Sequence, residues 1–113
     1  MTRSLGEFIP ELRRLLGMYV YPRTFVAAFN FIQGYSSGGG DESLDGFHDW
    51  LLLRGNGRPE LTWPWLVLCE IYPQDRLPDI RHFTDHQDEE AIGVLFDLLG
   101  KYLGLDRLGG SAQ

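Results

Sequence analysis

At 113 residues, with 43% hydrophobic and 23% charged side chains, the chain is long enough for one domain with a core of its own and too short for two. That apolar content excludes a disordered chain, and a net charge of −6 argues against nucleic acid, whose phosphates it would repel. No apolar run approaches the ~18 residues of a membrane span and no stretch reads as a signal-peptide core, so a cytoplasmic protein with no membrane partner is expected. The charge is unevenly distributed. Residues 1–40 carry four arginines against two glutamates, whereas residues 41–113 carry six basic and fourteen acidic side chains. A partner drawn by charge should therefore be basic and should meet the second part of the chain.

In chain order, two helix starts compete first. Ser4 and Glu7 have the capping-box spacing, but a helix begun there places Pro10 beyond the tolerated first turn. A start near Phe8 or Ile9 puts Pro10 in the first turn, with Leu12, Leu15 and Leu16 inward and Gly17 as the stop; this start is preferred. Pro22 then opens a second helix, whose core face is Phe25, Ala28, Phe29, Ile32 and Tyr35. Gly34, Ser36, Ser37 and Gly38 to Gly40 interrupt that pattern, and residues 36–40 are expected to form a flexible loop. The glycines do not make a phosphate loop, because no GxxxxGK[ST] pattern or nearby lysine accompanies them.

Asp41 or Ser43 is placed to cap a third helix, with Leu44, Phe47, Leu51 and Trp50 inward, acidic residues at its start and Arg54 at its end. Gly55 to Pro59 reads as a turn. Thr62 to Pro73, TWPWLVLCEIYP, is the most apolar stretch: eight of its twelve residues are Trp, Leu, Val, Cys, Ile or Tyr, so neighbouring elements should pack around it. Periodicity does not separate buried helix from buried strand at this length, and strand stays open as the alternative. Thr62 as N-cap, Pro64 in the first turn and Pro73 at the close favour helix.

After a polar connector over 74–83, Thr84 and Gln87 satisfy a capping box. Ala91, Ile92, Leu95, Leu98, Leu99, Tyr102 and Leu103 follow as one face, and Gly104 stands where a C-terminal glycine belongs. The tail from Gly109 to Gln113 should fray. The whole reads as an all-α chain: residues 1–113 in one compact bundle of about five helices.

Chemistry-bearing clusters are sparse. His82 and His86 are four apart with Asp85 between them, but the cap at Thr84 interrupts any shared helix and Phe83 departs from HExxH. His48 and the single cysteine, Cys69, suggest a nucleophile and base, yet the apolar run around Cys69 should raise its pKa, the wrong direction for a thiolate. No metal or cofactor is expected; a small metal-dependent or cysteine-nucleophile enzyme is the alternative reading. What stands out instead is two carboxylate sets, Asp41, Glu42, Asp45 and Asp49, then Asp85, Asp88, Glu89 and Glu90, together with an aromatic content of 13% that includes Trp50, Trp63 and Trp65. Core packing is the simpler use of these indoles, and Trp50 beside carboxylates is the binding one.

LRRLLGMYV, Leu12 to Val20, is similar to a segment of the gyrase and histidine-kinase type ATPases, but no Asn box or DxGxG follows and the chain is too short for that fold. Over most of the chain, the order GMY, FxxGY at Phe31 to Tyr35, LxGFxxWL at Leu44 to Leu51 and WPxLVL at Trp63 to Leu68 resembles small bacterial immunity proteins that neutralise polymorphic toxins. None of these motifs is catalytic. The resemblance implies a binder and nothing finer. The small size, one-sided acidic balance, aromatic surplus and lack of a catalytic motif make a non-catalytic immunity protein the expectation, its acidic and aromatic residues covering the basic active site or substrate channel of a cognate toxin.

Overall fold

The computed structural model describes residues 4–38, 44–55 and 58–105. Among these, six α-helices and no strand are present: α1 (Leu5–Arg14), α2 (Leu16–Tyr19), α3 (Phe25–Gly38), α4 (Phe47–Leu53), α5 (Trp63–Leu68) and α6 (Asp85–Leu103). Two single-turn 3₁₀ segments, Gln74–Arg76 and Ile80–His82, carry the connector between α5 and α6. The all-α reading is therefore correct, and the apolar run Trp63–Leu68 is helix.

α6 is the hub. It packs against α1, α3 and α5, and buries Ala91, Ile92, Leu95, Phe96, Leu98 and Leu99 along most of its length. Both of its ends are finished as the sequence indicates. Thr84 Oγ accepts the Gln87 N–H at 3.1 Å while Gln87 Oε1 accepts the Thr84 N–H at 2.9 Å, and Gly104 closes the helix in the left-handed region at φ 80°. The stretch 62–73 is central in composition but not in position. α5 is only six residues long and lies between α4 and α6; Leu66, Val67 and Leu68 are buried while Trp63 and Trp65 are half-buried.

Three local expectations are overturned. The first helix starts at the capping box and not at Phe8: Ser4 Oγ accepts the Glu7 N–H at 3.3 Å, and Ser4 N–H donates to Glu7 at 3.0 Å. Pro10 is then interior to α1 but exposed, so the backbone bond it removes lies on the wet face, while Leu5, Phe8, Ile9 and Leu12 are buried opposite. Gly17 does not end the helix; Arg14 does, and Gly17 belongs to the separate turn of α2.

The second correction concerns α3. It begins at Phe25, after Thr24 whose hydroxyl accepts the Ala27 N–H at 3.2 Å, and not at Pro22. It also continues to Gly38 through the expected loop, because Tyr35 stacks on Phe8 at 4.7 Å and Ser36 is buried. Packing overrides the weak propensity of Gly34, Ser36 and Ser37. Residues 39–43, including the rest of that loop and the proposed caps Asp41 and Ser43, lie outside the described residues, as does the tail 109–113.

Thirdly, α4 starts only at Phe47, so Asp45 sits in the turn before it and does not share a helix face with Asp49. Gly46 governs this start. Its N–H donates to the Tyr102 hydroxyl at 3.1 Å, and a Cβ there would lie 2.9 Å from that oxygen. Tyr102 in turn closes an aromatic cluster with Phe47 and Trp50, at 5.1 and 5.7 Å between ring centres.

Candidate binding groove

A groove of about 340 Å³ opens where α3, α4 and the start of α5 converge. Phe29 and Gln33 on α3, His48 on α4 and the run Thr62 to Trp65 line it. The local reason is the TWPW sequence. Pro64 occupies the first turn of α5, where its missing N–H costs no bond, and is buried; the two indoles flank it on the chain and stay half-exposed. Trp63 is wedged between Phe29 at 6.0 Å and Phe47 at 5.5 Å. Trp65, by contrast, meets no aromatic ring among the described residues.

The polar groups of the groove are few and definable. His48 Nε2 lies 2.8 Å from the Leu61 carbonyl, which can only accept, so Nε2 carries the hydrogen. Nδ1, on the other side of the ring, lies 3.6 Å from Asp49 Oδ1. Asp49 itself is 87% exposed, which places a carboxylate beside a groove-lining ring and in water. Thr62, at the N-cap position, makes no side-chain cap bond. Among the described residues the lining contains neither lysine nor arginine.

The carboxylates singled out from the sequence divide sharply. Asp49 stands beside the groove and Asp45 is exposed in the turn leading into α4. Asp41 and Glu42 lie outside the described residues. On α6, Asp85 and Glu90 are exposed, Glu89 pairs with Arg23, and Asp88 is turned inward with 7% of its surface exposed. Asp88 Oδ1 accepts the Phe25 N–H at 2.9 Å, so this side chain caps α3 and is withdrawn from any interface. Its charge lies at the N-terminal ends of both α3 and α6, where two helix dipoles favour an anion. Trp50 is also committed. It packs on Phe47 at 5.9 Å under the Arg54 guanidinium at 5.3 Å, and does not line the groove.

The sequence held a signal for Asp88 that its capping role obscured. Positions 88, 92, 95 and 99 share one helical face, so the apolar stripe of α6 extended back one turn arrives at this aspartate. Trp65 and Gln33 carried no comparable signal, since a groove made by three separate elements is not written in any one of them.

The remaining reactive groups are occupied in structural ways. His82 Nδ1 lies 3.0 Å from Asp79, whose carboxylate also accepts from the Arg81 guanidinium at 3.1 Å. Cys69 is buried, and burial followed by the nearby Glu70 charge pushes its thiol pKa up. Arg54 donates twice to Glu70, at 2.9 and 3.0 Å, joining the ends of α4 and α5; Glu70 correspondingly raises the Arg54 pKa. Among the described residues no group of three or more His, Cys, Asp or Glu is gathered around a common point, and no helix is long and apolar enough to cross a membrane.

No protein-family model matches this chain, and no curated protein or solved structure matches it. The arrangement is thus characterised by its own geometry: an all-α globule with an aromatic groove, a carboxylate beside it and, among the described residues, no lysine or arginine in its lining.

Proposed function

We propose that this chain is a non-catalytic binding protein of the immunity type, which inhibits a cognate bacterial toxin by covering a basic active site or substrate channel. The observation that carries the reading is the cation-free aromatic groove with Asp49 exposed at its side, in a chain of net charge −6. Toxins acting on nucleic acids or nucleotides hold phosphate with Lys and Arg, and an aromatic surface edged by carboxylates is complementary to such a site in both shape and charge. The interface is centred on Asp45, Asp49 and the groove. The α6 set contributes at most Asp85 and Glu90, since Asp88 and Glu89 are engaged within the fold.

The test is growth followed by affinity. The protein encoded beside this chain is expected to arrest cells when expressed alone, and co-expression of this chain is expected to restore growth. Replacing Asp45 and Asp49 together by Lys should weaken the complex roughly tenfold or more, most steeply at low salt, because attraction becomes repulsion. Asp97→Lys is the control: Asp97 lies on α6, pairs with Arg13 at 2.9 Å and lines no part of the groove. Failure of rescue, or an equal loss at Asp97, would overturn the reading.

A further inference from the structure

We infer that the groove receives a single arginine side chain presented by the partner, an inference that rests on the binding reading above. At about 340 Å³ the groove stands at the low end of the ~300–1,000 Å³ usual for ligand pockets, which suits one side chain. Its walls and its polar groups then specify which side chain.

Trp63 is fixed by Phe29 and Phe47, whereas Trp65 lines the groove, is half-buried and has no ring packed on it among the described residues. An indole is the strongest aromatic partner for a cation, and the planar guanidinium stacks on it as an ammonium does not. Around these faces lie groups able to accept hydrogen bonds. The Thr62 hydroxyl is not used in capping, Gln33 offers an amide oxygen, and the Asp49 carboxylate lies 3.6 Å from His48 Nδ1. A guanidinium has five N–H donors and no acceptor, so this set matches its bonding capacity, while the absence of Lys and Arg from the lining leaves no repelling charge.

The fold already contains the same combination. Arg54 lies over Trp50 at 5.3 Å and donates twice to Glu70 at 2.9 and 3.0 Å, so an aromatic face plus a carboxylate holds a guanidinium in this molecule. The groove presents the same two components without an occupant among the described residues. An apolar side chain would fill the aromatic walls but offer no donor to Thr62, Gln33 or Asp49. A lysine would exchange strong hydration for a poorer stack.

The experiment titrates the full chain with capped Gly-Arg-Gly and with its citrulline, lysine and leucine counterparts, following the indole N–H resonances of Trp63 and Trp65 by NMR. Citrulline keeps the shape of arginine, removes the charge and replaces two of its N–H donors by a carbonyl oxygen. The arginine peptide is expected to shift both indoles saturably in the millimolar range, with citrulline weaker by about fivefold, as a partly exposed cation–π contact implies. Trp65→Leu and Asp49→Asn should each weaken the arginine peptide by about threefold to fivefold; Asp49 is exposed, so that variant keeps the fold if loss of the indole does not. Equal shifts from citrulline or leucine, or no saturation up to about 20 mM, would overturn the inference. The two readings fail separately. Loss of toxin rescue with arginine binding intact removes the function, whereas rescue without arginine preference removes only the occupant.

Discussion

The start of α6 and the start of α4 are both rich in carboxylates, and the fold uses them in opposite ways. At α6, Asp88 is buried against the Phe25 N–H and Glu89 pairs with Arg23, so the acidic turn fastens α6 to the beginning of α3. At α4, Asp49 is 87% exposed beside the groove and Asp45 is exposed in the preceding turn, with the nearby aromatics packed behind them. The same residue type is thus a cap in one place and a solvated charge in the other. What separates them is whether a second helix brings an unsatisfied N–H within reach. Charge alone does not mark an interface.

The contrast can be broken most severely through the hub itself. Leu95→Ala on α6 removes a side chain with no exposed surface and should lower stability by about 2–5 kcal/mol in denaturant melts, with Leu66→Ala on α5 in the same range. Losses below ~0.5 kcal/mol at both sites would show that the helices do not share this core. Next in size is Asp88→Ala, which leaves the Phe25 N–H buried without its acceptor and should cost about 1–3 kcal/mol. Asp88→Asn retains an acceptor oxygen and should recover a large part of that loss. Equal melts for Ala and wild type would put Asp88 back among the free carboxylates.

At the other acidic segment the expectation reverses. Asp45→Lys with Asp49→Lys should move the melt by no more than ~0.5 kcal/mol while affecting partner affinity, because exposed charges contribute little to folding. A large stability loss there would mean that these carboxylates, too, are structural. The smallest effect concerns Asp79, fully outside both regions, whose carboxyl is held well below the usual range by the Arg81 side chain, then its N–H, and by His82. A depressed folded value means that its contribution is present above the unfolded value near ~3.9 and is lost as pH falls through the folded one. A carboxyl NMR titration should find the midpoint below that of an ordinary aspartate, and Arg81→Gln should raise it. A midpoint near ~3.9 in the wild type would show that the pair does not persist in solution.

Local chemistry made much of this molecule legible in advance. Thr84, Gln87 and Gly104 set the ends of α6, the Ala91 to Leu103 stripe set its buried face, and Pro64 set the start of α5, where Thr62 holds the N-cap position without a side-chain bond; each acts over one or two turns of the same chain. Where neighbouring helices intervened, local rules misled. Pro10 is tolerated within α1 because the capping box and four buried side chains outweigh one lost bond on the wet face, and α3 passes through Gly34 because Tyr35 and Ser36 are packed beyond it. Sequence by itself determined that the chain would be helical, acidic in its second part and closed around apolar stripes, since composition and short-range periodicity are properties of the chain alone. Only the tertiary structure decided that Asp88 caps a helix 63 residues away, that Trp50 is covered by Arg54, and that Trp65 faces a groove beside Asp49. Those outcomes depend on which surfaces meet, and the meeting of α3, α4 and α5 is a property of their joint packing and not of any one of them.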